Sequence, residues 1–268
     1  MAISLQSLLP SDRLRAAQQR RALVTQARTR RMRSRQARRV HGPQPPSDLA
    51  YRSALRQLAR STWNMIVAEL LPRADARTDA QPQGLRFKLY DMVKAKAPAL
   101  AAEQAKRVAK KTAEDTRRVL GLDPRTEIGV APMLDVFVGE NVRLITKLVD
   151  AQYQDVHETL QQNLGLRHED LSKILTERLG VSESRADLIA RDQTLKLAGD
   201  VTRIRQTNAG IDSYVWTTSG DERVRPEHEE LDGQTFRWDA PPAVGHPGQD
   251  YQCRCAAYPV VPGFEDEG

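Results

Sequence analysis

Apolar residues recur every three or four positions through most of this chain. That is the period of helices that bury one face. Ser47 or Asp48 can cap the first of them, on which Tyr51, Leu55, Leu58, Thr62, Met65, Ile66 and Leu70 share a stripe. Pro72 is expected to stop it. A polar loop through Pro82 and Gly84 follows, then a helix from Ala99 to Leu120 that ends at Gly121, with Pro124 close behind. Beyond Pro132, the residues Leu134, Phe137, Val138, Ile145, Leu148, Val149, Val156, Leu160 and Leu164 trace one side of a long helix ended by Gly165. A short helix is expected from Glu169 to Leu179, stopped by Gly180. Ser182 or Ser184 would cap another, with Ala186, Ile189, Leu197, Val201 and Ile204 on one face and Gly210 past its end.

After Gly210 the period changes. Ser213 to Thr218 is rich in β-branched and aromatic residues and predicts a strand. Thr235 to Trp238 predicts a second strand and Ala256 to Val261 a third, with Gly, Pro and Asp filling the intervals. The expected class is α+β, mainly helical, with a small C-terminal β-module. Trp216 and Trp238 are expected to form the core of that module. Asp221, Arg223 and Arg225 alternate after the first strand and suit a salt-bridged turn.

Charge divides the chain further. The net charge is +6, yet residues 1–42 hold eleven arginines and one acid, Asp12, and so carry +10. The rest is therefore acidic, at −4. Residues 1–46 are expected to form a flexible arm closed by the stiff linker Pro43, Pro45 and Pro46, with a helical region over 47–131. The densest run places Arg28, Arg30, Arg31, Arg33, Arg35, Arg38 and Arg39 on every helical face. Their planar guanidinium groups suit phosphate, and the absence of aromatics in the run suits double-stranded DNA without sequence preference. An acidic protein partner or an organelle-targeting role fits the same composition. No stretch is apolar enough over about 18 residues to span a membrane, and the apolar start is too short for a secretory signal.

The chemistry gathers in the turn-rich end. Cys253 and Cys255 are the two cysteines, and a disulfide across one residue would be badly strained. With His228 and His246 they offer two thiols and two imidazoles, the natural donors of a tetrahedral structural zinc. The C-x-C spacing departs from ordinary zinc fingers, so simple burial of both thiols is the competing reading. Cys253 or Cys255 with His228 or His246 would serve as thiol nucleophile and base, and a divalent metal held by Asp221, Glu227 and His228 would make a metal-dependent nucleic-acid hydrolase. Against these stands the lack of a phosphate loop, G-x-S-x-G or H-E-x-x-H.

Residues 184–259 also resemble a known family. The likeness runs through Arg185-Ala186, Leu188 to Gln193, Ala209-Gly210-Ile211, Trp216, Asp221 to Pro226 with His228, and Asp232-Gly233. It closes with Phe236 to Asp239, Pro241-Pro242, His246-Pro247-Gly248 and Cys253-Arg254-Cys255. This series resembles the phage Mu F-like minor head proteins and the SPP1 gp7 head-morphogenesis family, with Arg191-Asp192-Gln193 in the Mu form. The resemblance implies a head-morphogenesis module over 132–262, ahead of a short acidic tail at 263–268. It implies a minor capsid protein and not an enzyme, made in the host cytoplasm and placed inside the virion head near the portal. Its partners would be the portal protein and a major capsid or scaffolding protein, with packaged DNA met by the arm. No effector domain is expected after Pro259. The rival classes are a free DNA-binding protein and the hydrolase above.

Overall fold

The structure is a computed structural model and describes residues 45–75, 84–121 and 128–261. The arginine arm, with Arg28, Arg30, Arg31, Arg33, Arg35, Arg38 and Arg39, and the acidic tail lie outside the described residues. Among the described residues four long helices come first: α1 (Leu49–Asp75), α2 (Leu85–Leu120), α3 (Val130–Gln162) and α4 (His168–Asn208). Strand β1 (Ser213–Thr217), the short helix α5 (Pro226–Glu229), β2 (Thr235–Arg237) and β3 (Ala256–Val260) follow. The chain is thus mainly helical with a small antiparallel β-module at its end, the class its periodicity predicts.

Three helices differ from their sequence boundaries. Helix α1 continues through Pro72 to Asp75, and α2 begins at Leu85 and runs through Pro98. A proline removes one backbone donor and crowds one carbonyl. Burial offsets this. Leu70 and Leu71 are buried beside Pro72, and Leu85, Leu89, Val93, Ala97 and Ala101 form an unbroken four-residue repeat across Pro98. The two helices expected on either side of Gly180 are one helix of 41 residues. Ser182 is not its cap; it is buried inside the helix and accepts a hydrogen bond from Gln152 Nε2 at 2.7 Å.

The chain forms two compact units, each assembled from separate stretches of sequence. One comprises residues 47–105 and 135–194, and is helical. Its apolar core includes Leu55, Ile66, Val93, Ile145, Val156 and Ala186, all at most 2% exposed. Within it runs a line of buried polar groups. Tyr51 donates to Asn141 Oδ1 at 2.8 Å, Thr62 donates to Gln152 Oε1 at 2.6 Å, and Gln104 Nε2 donates to Thr194 Oγ1 at 3.0 Å. Ion pairs Arg56–Asp187, Arg60–Glu183 and Arg178–Asp155 lie at its surface.

The other unit contains residues 106–134 and 195–261 of the described chain, with Pro45 and Pro46. Strand order is β2-β1-β3, all antiparallel. On β1 the alternation places Tyr214 and Trp216 inward, both at 0% exposure. Trp238 and Ala257 complete that core, with Leu231, Phe236 and Val244 against it. Helix α4 ends at Gly210, whose φ of 80° supplies the left-handed step of a helix stop. Ile211 N–H then returns to Gln206 O at 2.9 Å. Gln206 fastens the helix to the module. Its Nε2 donates to Ala257 O at 2.9 Å, and its Oε1 accepts from Trp238 Nε1 at 3.2 Å. The loop at 246–249 seats closely on α4. A methyl group at Gly199 would lie 2.6 Å from the Pro247 carbonyl oxygen, so only glycine allows this approach.

Candidate metal centre

Two short structures bring the site together. Pro226, pre-set for a helix start, opens α5 and aims His228 inward, where it is 3% exposed. The second is the turn leading into β3. Gln252 takes a left-handed backbone conformation, φ 52°, which is sparsely populated for residues other than glycine. Cys253 follows it at once and is 3% exposed, while Cys255 is half-buried at the start of the strand.

The three side chains converge. His228 Nδ1 lies 3.6 Å from Cys253 Sγ and 3.5 Å from Cys255 Sγ. Among the described residues, these three offer donor atoms within 4.8 Å of one another. Gly248 N–H donates to Cys253 Sγ at 3.4 Å. The indole N–H of Trp216 has no nitrogen or oxygen partner and favours the charged form of Cys255. The far nitrogen of His228, Nε2, lies 3.2 Å from Asp250 Oδ2, off the direction a hydrogen bond needs. Arg225 donates to that same carboxylate at 2.6 Å and to the Tyr251 carbonyl at 2.7 Å.

The two thiols share charge unequally. The hydrogen bond from Cys255 holds Cys253 down to about 6, with burial opposing and the Gly248 N–H helping. Cys255 is pushed up, first by its bond to Cys253 and then by burial. Asp221 is held down to about 2, chiefly by its two-bond pair with Arg254 at 2.5 and 2.6 Å. Asp221 and Arg225 therefore reach forward to residues 250–254, while the Arg223 backbone N–H donates back to Asp221 Oδ1 at 3.1 Å.

His246 stands apart from this cluster. Its Nδ1 shares a hydrogen bond with Tyr214 Oη at 2.9 Å, and its ring packs on Trp238 with centroids 4.8 Å apart. Burial, and then the Arg203 charge, hold its pKa below the ordinary 6.5, so it sits neutral in the aromatic core. A histidine of lowered folded pKa binds fewer protons than in the unfolded chain. Its contribution is full above about pH 6.5 and is lost as pH falls through the folded value. The urea midpoint of the wild type should therefore fall more steeply between about pH 7 and pH 5 than that of His246→Gln. Equal slopes in the two proteins would refute this account of His246.

Sequence spacing missed Asp250, Arg225 and Gly248 as members of the site. Arg225 and Asp250 are far apart in the chain and ordinary in kind. Only the fold makes them neighbours.

The chain is 37% identical over 145 residues to an uncharacterized protein of Haemophilus influenzae. That match covers 53% of this chain and 32% of the relative, so the chain spans about a third of the relative's length. No solved structure matches the chain. The family model described as Phage Mu protein F like protein matches residues 154–258, a stretch that holds the whole of α4 and the whole His-Cys cluster. Over residues 154–258, less than half of its length, the chain is similar to the Phage Mu protein F like family.

Proposed function

We propose that this protein is a minor capsid protein that acts in head morphogenesis of a tailed phage, docking on the portal and the inner shell during procapsid assembly. The observation that carries the reading is the family match over 154–258, which takes in the His-Cys module in full. The division of charge supports the rest. A body of net charge −4 joined to an arm of +10 can hold a protein surface and a polyanion at once. Packaged double-stranded DNA is the polyanion, bound through Arg28 to Arg39 without sequence preference. The site works structurally in this reading. A thiol nucleophile needs an open approach, and Cys253 is 3% exposed.

Co-sedimentation with purified portal tests the docking step, and protein analysis of mature particles tests the destination. The chain should pellet with portal and be present inside DNA-filled heads. Deleting residues 1–42 should leave procapsid formation intact and weaken DNA binding, with most of the salt dependence lost. A chain that is missing from particles and binds no head component at any stage would overturn the proposal. Wild-type packaging without the arm would overturn the DNA role.

A further inference from the structure

We infer that His228, Cys253 and Cys255 bind one zinc ion, with His228 ligating through Nδ1, Asp250 orienting that histidine, and water in the fourth position. The inference stands apart from the head-assembly reading and rests on local geometry alone.

A single imidazole nitrogen faces two sulfurs at nearly equal distance, 3.6 and 3.5 Å. One proton on Nδ1 can point well at one sulfur only. A metal between the three atoms satisfies all of them. Zn–S near 2.3 Å and Zn–N near 2.05 Å, at the tetrahedral angle, place N and S about 3.6 Å apart. The observed separations match that value without rearrangement. The donor set of two thiolates and one imidazole favours zinc over calcium or magnesium, which take oxygen.

The surroundings fit the ion as well. Gly248 N–H already points at Cys253 Sγ, and Trp216 places its edge beside His228 with ring centroids 5.3 Å apart. His228 Nε2 is buried and unpaired, with the Asp250 carboxylate 3.2 Å away. A small turn of that carboxylate completes the hydrogen bond that commonly backs a metal-bound histidine. Arg225 Nη1 holds the carboxylate in place, donating to Asp250 Oδ2 at 2.6 Å.

Charge and protons balance. Zinc displaces the two thiol protons to solvent, and His228 stays neutral with its proton on Nε2. Two thiolates cancel the dication, so the buried cluster is neutral, and Asp250 remains paired with Arg225. The ion joins α5 to the start of β3. Those are parts of a three-stranded sheet whose apolar core is small. His246 takes no part, because Tyr214 and Trp238 already occupy it.

The test uses the full-length protein, purified reduced, with zinc measured by elemental analysis and cobalt used as a coloured substitute. About one zinc per chain is expected, lost to a strong chelator together with a fall in melting temperature. The cobalt form should show thiolate-to-metal charge transfer, reduced in Cys253→Ser and Cys255→Ser and lost in the double variant. His246→Gln should keep full metal content. Asp250→Asn should weaken zinc binding about 10- to 100-fold and still reach the same stoichiometry at saturation. Below about half an equivalent in a wild-type chain whose thiols titrate as free and reduced, the site does not exist. Unchanged cobalt charge transfer in the folded double-serine variant, or metal loss in folded His246→Gln, would overturn the ligand assignment.

Discussion

Trp216→Ala should destabilise the C-terminal module by about 3–5 kcal/mol, the usual cost of removing a large core aromatic. Trp216 is 0% exposed and lies in the central strand, paired with Ala257 across β3. Its ring meets Phe236 edge-on at 6.3 Å and His228 edge-on at 5.3 Å. A single domain is stable by only about 5–15 kcal/mol, and the loss would therefore be a large fraction. Urea unfolding followed by circular dichroism, with hydrogen exchange on the β1 and β3 amides, measures it. Trp216→Phe should lose less, since it keeps an aromatic ring against Phe236. A loss below about 1 kcal/mol for the alanine variant would mean that Trp216 does not anchor this core.

That residue also shows how much could be read from sequence. The β-branched and aromatic run Ser213 to Thr218 predicts the strand, and Trp216 is expected in the core, whereas the inward place of Tyr214 is seen only in the structure. Val201 and Ala186 were legible in the same way from helical spacing. Pro72, Pro98 and Gly180 were not. Each is locally unfavourable to a helix, and a local rule ends the helix there. The stronger influence is the burial of Ala97, Ala101, Ser182 and Ala186, which belongs to packing between segments distant in sequence. The site divides along the same line. His228, Cys253 and Cys255 stood out by residue type. His246 is equally conspicuous by type, but its partners Tyr214 and Trp238 place it in the aromatic core, and no spacing rule reports that. Asp250 was visible only as one acid among many.

Gln152→Leu should destabilise the helical unit by about 1–3 kcal/mol although it makes the core more apolar and nearly conserves volume. Gln152 is 2% exposed and links three helices. From α3 it accepts from Thr62 Oγ1 on α1 at 2.6 Å, donates to the Ala59 carbonyl on α1 at 2.8 Å, and donates to Ser182 Oγ on α4 at 2.7 Å. Leucine removes all three bonds at once. Thr62 can fall back on the Leu58 and Ala59 carbonyls, each 3.0 Å away. Ser182, 4% exposed, loses the donor that Gln152 supplies. Stranding a buried oxygen in this way accounts for most of the expected loss. The double variant Gln152→Leu with Ser182→Ala should therefore recover most of the stability, because it removes both ends of the bond. Chemical denaturation of the wild type, both single variants and the double variant gives the coupling directly. Strictly additive losses would show that Gln152 and Ser182 do not act as a pair. Recovery would carry a further consequence. An apolar pair would then hold these helices nearly as firmly, so the polar trio serves alignment more than strength: it lets α1, α3 and α4 meet in one register and penalises slippage of their otherwise similar small and branched side chains.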